Sequence, residues 1–483
     1  MARPSAPETE TLYEFVPDES FRDSIGTLDE RGKRRWIFPK KITGFYTRAR
    51  SYVAYVLLAV LFVLPFVQVQ GQPFLLLNFL ERRFVLFGQP FWPQDFYILV
   101  FVFLSTLVAL AAFTVAFGRL FCGWICPQTI FQEFVFRKIE YWIDGDNAQA
   151  RALDKAPLTG KKLQKRILKH TLFVVYSIVM GHWFLMYIIG YPAVRSWVAE
   201  GPLAHLPGTL GMLAFSGAYY LVFTRFREQV CIVACPYGRL QGVLLDNNSI
   251  VIAYDFSRGE PRGKLRKGVE RTEGDCIDCY QCVQVCPTGI DIRNGTQLEC
   301  INCTLCIDAC DNIMDRIGKP RGLIRYASQN QITARKPFRF TGRMAFYSVV
   351  VSVLIGVFFV LIYTRTPVQL TVLRQPGTLF QVLDNGHLSN VYQYGLVNKT
   401  LEEKILSFRL ISPTGNLRVN SQADTTHVAA QEARKGMLVL ELDKAQITGR
   451  STPVVIEVRD GAHVVDRVRT TFVGPILSPG QTP

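Results

Sequence analysis

The stretch Cys276-Ile-Asp-Cys279-Tyr-Gln-Cys282-Val-Gln-Val-Cys286-Pro287, echoed by Cys300-Ile-Asn-Cys303-Thr-Leu-Cys306-Ile-Asp-Ala-Cys310, decides how the rest of the chain is read. An iron–sulfur cubane takes three thiolates from a tight loop and a fourth from elsewhere. In two-cluster ferredoxins the fourth cysteine of each run serves the other cluster. On that pattern one 4Fe–4S cluster takes Cys276, Cys279, Cys282 and Cys310, and a second takes Cys300, Cys303, Cys306 and Cys286. Structural zinc usually pairs two CxxC units, not two runs of four, so clusters are the preferred reading. Asp311 stands where ferredoxins usually carry proline, which leaves the ligand itself untouched.

Around these runs the sequence is not that of a soluble ferredoxin. The 483 residues are 49% hydrophobic and 19% charged. Their apolar residues gather in five blocks: Tyr52–Val69, Phe96–Phe117, Thr171–Gly190, Leu203–Thr224 and Met344–Tyr363. A helix needs ~20 apolar residues to cross a hydrocarbon core of ~30 Å. Five spans are therefore expected, the fourth interrupted by Pro202, Pro207 and several glycines. Nothing before Tyr52 has the apolar core of a cleavable signal, so the first span is expected to remain as an anchor.

Lys and Arg set the orientation. Ten precede the first span, 10 lie between the second and third, and 18 between the fourth and fifth, against 2 and 1 in the alternate loops. The positive-inside rule places the N-terminus, Gly118–His170 and Arg225–Arg343 in the cytoplasm, and Thr364–Pro483 outside. The net charge of +15 then reflects contact with anionic lipid headgroups, and nucleic-acid binding is set aside. All 12 cysteines fall between Cys122 and Cys310, none in the external tail. That is the reverse of a disulfide framework and favours thiolates that hold metal.

Two more thiol pairs, Cys122-Gly-Trp-Ile-Cys126-Pro127 and Cys231-Ile-Val-Ala-Cys235-Pro236, each follow a pair of spans, which reads as an internal duplication. Helical residues four apart share a face, so both sulfurs of a pair can meet one ion. The prolines suit the first turn of a new helix, which puts Cys126 and Cys235 where the dipole favours thiolate. Soft thiolates select Cu(I). Cys122, Cys126, Cys231 and Cys235 are thus the candidate copper or redox thiols, against the alternative of inert buried cysteines.

Ile130, Phe131, Phe134, Val135, Ile139 and Trp142 recur at helical spacing opposite Gln132, Glu133, Arg137 and Glu140. This predicts an amphipathic helix in the headgroup region, or one packed on the ferredoxin-like segment. Ser257–Arg271 reads as a basic loop on the membrane, or a docking strip for an acidic donor. Val368–Arg374, Lys404–Ile411, Met437–Leu442, Val454–Arg459 and Val464–Phe472 read as strands of a small antiparallel sandwich. His182 lies inside the third span without a histidine partner at similar depth, so a hydrogen-bonded structural role is expected over haem ligation. His387, His427 and His463 form no motif.

Several stretches together resemble the FixG/RdxA/CcoG family of cytochrome oxidase accessory proteins. They are Cys122-Gly-Trp-Ile-Cys126-Pro-Gln-Thr129, Cys235-Pro-Tyr-Gly-Arg239, Arg258-Gly-Glu-Pro-Arg-Gly263, both ferredoxin runs, Cys306-Ile-Asp-Ala-Cys-Asp311 and Arg321-Gly-Leu-Ile-Arg-Tyr-Ala-Ser328. Asp311 matches that family's pattern, while Gly238 stands where alanine is expected. The resemblance implies an immunoglobulin-like external tail and a role in assembling cbb-type haem–copper oxidases in the bacterial inner membrane. It also implies cupric reductase chemistry on the cytoplasmic side, with Cu(I) passed to a copper chaperone or a copper-exporting P-type ATPase. It does not say which cysteines hold copper, and the electron donor is unnamed.

The expected layout is a basic arm (1–50), a four-span membrane domain with both CxxxCP elements (51–256) and a two-cluster ferredoxin-like domain (257–343). A fifth span (344–363) and an external immunoglobulin-like domain (364–483) complete it. Two other functions fit the same layout: a quinol-oxidising electron relay, and a non-catalytic scaffold for oxidase assembly components.

Overall fold

A computed structural model describes residues 27, 33–81, 83–265, 273–335, 337–377, 379–419 and 425–475. The chain divides into two units, Met1–Val67 with Phe101–Gly356, and Gln68–Val100 with Val357–Pro483. Most of the expected basic arm, and residues 266–271 of the expected basic loop, lie outside the described residues.

Among the described residues, five helices are long and apolar enough to cross a membrane: Phe45–Phe66, Pro93–Phe117, Gly160–Ile189, Leu206–Phe226 and Gly342–Tyr363. The first starts at Phe45, before the apolar block, because its charged opening turns are held by protein. Asp308 caps them, accepting from the Tyr46 and Thr47 amides at 3.1 and 2.6 Å and from the Thr47 hydroxyl at 2.6 Å. Pro207 does not break the fourth span, since it occupies the first turn, where a missing N–H costs nothing. Asp308→Ala is expected to lower stability by about 2 kcal/mol, the loss of a buried cap, read as earlier thermal bleaching of cluster absorbance.

The helix after Cys126 departs from expectation. Residues 127–143 form one helical run with a π-helical middle, Phe131–Phe136. Phe131 and Phe136 pack against Phe173, Met180, Tyr219 and Phe223 of the third and fourth spans. The opposite face is buried too, and its charges are paired rather than solvated. Arg137 binds Glu133 at 2.9 Å, and Arg227 grips Glu140 through two bonds of 2.7 and 2.8 Å. A helix resting among headgroups would leave that polar face in water.

Burial alone would raise the Glu140 carboxyl, but Arg227, with Arg137 and Lys169 behind it, outweighs burial and holds it at about 2. A carboxyl held low contributes stability above its ordinary range and loses it as pH falls toward the folded value. Thermal stability should therefore fall between about pH 5 and pH 2. Glu140→Gln should be less stable at neutral pH and show a shallower acid decline.

A two-stranded ribbon, Val251–Tyr254 against Ile324–Ala327, brackets the ferredoxin-like segment. The two family-like tracts lie here and are structural. Arg258 binds Asp275 at 2.7 Å and the carbonyls of Pro320 and Arg321, and Arg325 binds Asp255 at 2.7 Å. Arg262 pairs with Glu260 at 2.9 Å. Of the expected basic loop, Arg258 and Arg262 make these contacts within the protein.

In the second unit, β1 (Val368–Arg374), β2 (Leu388–Asn398), β3 (Lys404–Ser412), β4 (Gly415–Val419), β5 (Thr425–Val428), β6 (Ala433–Leu442), β7 (Ser451–Asp460) and β8 (His463–Val473) form two sheets. Their orders are β4-β6-β2-β1 and β5-β3-β7-β8, with every neighbouring pair antiparallel. Tyr392, Leu396, Leu406, Leu438, Leu440, Val454, Ile456 and Phe472 fill the space between. Alternation of inward apolar and outward polar residues drives this packing. The same unit holds an unanticipated three-stranded sheet, Leu75–Asn78, Arg83–Leu86 and Gln89–Phe91. Asp95 beyond it is buried in a triad with Lys399 at 2.6 Å and Arg365 at 2.7 Å.

Candidate functional site

Each ferredoxin run bends through matched left-handed residues on either side of its second cysteine. Asp278 and Tyr280 have φ of 54 and 57°, Asn302 and Thr304 of 52 and 67°. Such backbone is strained for non-glycine residues, most of all for β-branched Thr304, and strain of this kind persists where a site demands it. The curled loops place the sulfurs around two cavities. One is lined by Cys276, Cys279, Cys282 and Cys310 among Ile277, Ile313, Met314 and Ile324. The other is lined by Cys286, Cys300, Cys303 and Cys306 among Ile252, Ile290 and Ile292. Cys282 borders both, so the cavities adjoin.

Four thiols with apolar walls are the donor set and dry setting a 4Fe–4S cluster requires. Among the described residues, no three His, Cys, Asp or Glu side chains converge on a single-ion position. Arg293 lines the first cavity, pairs with Asp278 and Asp291 at 2.5 Å each, and lies 4.1 Å from the Tyr280 ring centroid. Asp311 accepts from the Gly322 amide at 2.9 Å, a hydrogen bond that proline has no side-chain acceptor to make.

The CxxxCP thiols form one group. Cys122 lies in the short helix Leu120–Trp124 and Cys126 caps the next helix. Cys231 lies in a π-helical turn, and Cys235 caps Pro236–Leu244. All four are near enough for their charges to interact, with Arg119 among them. At Cys126, where the helix dipole favours thiolate, the thiol is raised instead. Burial pushes Cys122 up to about 11 and Cys231 to about 12, and also raises Cys126. A wall of protein outweighs the dipole at the end of a short helix.

Sequence reasoning missed the residues that frame this quartet. Gln241, fully buried, lies 3.4–3.5 Å from the Cys122 sulfur. Arg119 donates to the carbonyls of Leu298 and Gly238 and so ties the two thiol elements to the cluster-binding segment. Gly238 matters after all, because a Cβ there would sit 2.6 Å from the Cys231 carbonyl oxygen. The spacing of Arg119 three residues before Cys122 carried no signal of its own.

The quartet abuts the second run. A Cβ on Gly123 would lie 2.8 Å from the Asn302 carbonyl oxygen and closer still to that of Ile301, so glycine alone permits this approach. Trp124 donates to Tyr326, whose hydroxyl donates to the Asn302 carbonyl, at 3.2 and 3.4 Å. Cys231 shares a small cavity with Pro287, Thr288 and Ile301, neighbours of Cys286 and Cys300. His182 donates to or accepts nothing beyond its own helix turn among the described contacts, with Nδ1 2.9 Å from the Ile178 carbonyl.

Comparison with known proteins places these features in a lineage. Residues 226–329 match a 4Fe-4S dicluster domain, 99–145 a 4Fe-4S binding domain, and 358–475 the IG-like fold at the C-terminal of FixG. Protein RdxB of Cereibacter sphaeroides is 35% identical over 77% of this chain and 81% of its own length. Protein RdxA of the same organism is 34% identical over the same shares, and the nitrogen fixation protein FixG of Rhizobium meliloti is 33% identical over 81% and 82%.

Proposed function

This chain belongs to the FixG/RdxA family of membrane-bound iron–sulfur electron transport proteins, and we propose that it reduces Cu(II) to Cu(I) at the CxxxCP quartet. The observation that carries this reading is the contact of Gly123, inside the first CxxxCP element, with the Ile301–Asn302 backbone inside the second ferredoxin run. We assign Cys276, Cys279, Cys282 and Cys310 to one 4Fe–4S cluster and Cys286, Cys300, Cys303 and Cys306 to the other. When bound, the clusters supply single electrons.

The chain's own residues do the rest. Cys122, Cys126, Cys231 and Cys235 offer soft sulfur, which favours Cu(I) over Cu(II) and so pulls the reduction forward. Burial disfavours the thiolates of Cys122, Cys126 and Cys231, which ties copper capture there to proton release. Arg119 places positive charge beside the group and so offsets the negative charge of several thiolates. By the positive-inside rule, the thiols and clusters face the cytoplasm and the sandwich faces the periplasm. We infer that Cu(I) leaves to a copper chaperone or exporting ATPase that serves oxidase assembly.

The full-length protein should bind Cu(I) in competition with a chromogenic Cu(I) chelator under anaerobic conditions, and the four-serine variant should not. Equal retention by the two would remove copper from the quartet. A second reading has one observation behind it: the 4Fe-4S match over 99–145 spans only Cys122 and Cys126. Joined by Cys231 and Cys235, they would make a four-thiolate set for a third cluster. Iron analysis separates the readings, at about eight irons per chain for two clusters and about twelve for three.

A further inference from the structure

We propose that a cationic cavity at the head of the first span is a binding site for a phosphate-bearing anion, set beside the second ferredoxin run. The cavity holds about 550 Å³, within the range of small-molecule sites. Lys40, Lys41, Arg48, Arg50 and Lys138 line it, with the Phe134 ring on one wall. Among its described lining residues the one acid is Glu133, and that carboxylate is already bound by Arg137 at 2.9 Å. None of the five cations makes an ion pair among the described residues. Lys40 binds a neutral amide, Gln281, at 2.9 Å, and Arg48 bonds the Gly44 carbonyl at 3.4 Å.

Arg50 makes the case for a ligand. It is only 2% exposed, and its Nε donates to the Gly123 carbonyl at 2.7 Å. Its Nη2 is buried with no hydrogen-bond partner among the described residues. The guanidinium stands over the Phe134 ring, 5.1 Å from its centroid, and no carboxylate pairs with it among the described residues, so its charge is left for an anion in the cavity to balance. The helix amides are not the attraction, because Asp308 already takes those of Tyr46 and Thr47. Several converging cations with multiple donors suit a phosphate group, with its double charge and three acceptor oxygens, better than a single carboxylate.

Two sources share that chemistry, a phospholipid headgroup and a soluble phosphate ester. Leu305, adjacent to Cys306, also lines the cavity, and Arg50 reaches Gly123 in the first CxxxCP element. An anion seated here therefore adds negative charge beside the second cluster's ligands and should lower that cluster's midpoint potential. The proposal does not depend on copper.

The test uses the full cluster-loaded chain in phosphatidylcholine nanodiscs, titrated with pyrophosphate and with flavin mononucleotide, and compared with nanodiscs containing phosphatidylglycerol. Saturable binding of one equivalent of a soluble probe, with a fall in one cluster's potential, supports a soluble phosphate ester. A potential that falls only with phosphatidylglycerol supports a lipid headgroup. Arg48→Gln with Lys138→Gln should weaken either response at least about tenfold, and Arg50→Gln should weaken it further. The double variant alters exposed side chains, so folding is retained. No response to any of the three probes, or an equal response in the double variant, overturns the proposal.

Discussion

Replacing Cys122, Cys126, Cys231 and Cys235 together with serine should abolish Cu(II) reduction, by about a hundredfold or more, while cluster absorbance and iron content persist. Serine keeps the side chain's size but loses the soft sulfur that stabilises Cu(I), so the copper chemistry is lost before the fold. Neither proposed cluster takes a ligand from the quartet, and the contacts that seat it on the second run come from Gly123, Trp124 and Arg119. If the four-serine variant loses one cluster's absorbance, the quartet is structural and the copper reading falls.

The second large effect concerns how the two runs share their cysteines. Cys310→Ala should lose the same cluster as Cys276→Ala, and Cys286→Ala the same cluster as Cys303→Ala, each removing about four irons of about eight. The cavities group the sulfurs across the runs, with Cys310 beside Cys276 and Cys286 beside Cys303. Paramagnetic resonance of the reduced variants identifies which cluster remains. If Cys310→Ala instead matches Cys303→Ala, each run holds its own cluster and the assignment is wrong. Loss of the second cluster should also stop copper reduction, since its ligand loop is the one that meets Gly123.

Much of this fold is written in hydropathy and spacing, which are local properties. The α-helix of the second span runs over Phe96–Phe117 as its apolar block does, and β1 over Val368–Arg374 as its β-branched pattern does. What stayed hidden depends on partners distant in sequence. The first span begins at Phe45 because Asp308 caps it and Gly123 accepts from Arg50. The polar face of residues 127–143 reads as solvated until Arg227 is placed against Glu140. The longest inner strand, β2, was missed because Ser389, Asn390 and Gly395 interrupt its apolar alternation, yet it pairs on both sides with β1 and β6. The sheet over residues 75–91 was lost between two apolar spans, where its residues look like flanking sequence.

The candidate site divides along the same line. The twelve cysteines and their spacing are legible in the sequence, because thiolate ligation imposes spacing directly. The framing residues are not. Arg119, Gln241 and Gly238 act through contacts made only when the CxxxCP elements meet. The dipole argument fails at Cys126 because helix position is readable and burial is not.

The most direct test of the central claim is a single anaerobic turnover. The clusters of the purified protein are reduced, excess reductant is removed, and stoichiometric Cu(II) is added while its paramagnetic signal and the cluster absorbance are followed together. The account predicts that the Cu(II) signal disappears as the clusters reoxidise, electron for electron. Copper that binds and stays Cu(II) beside clusters that stay reduced would contradict it.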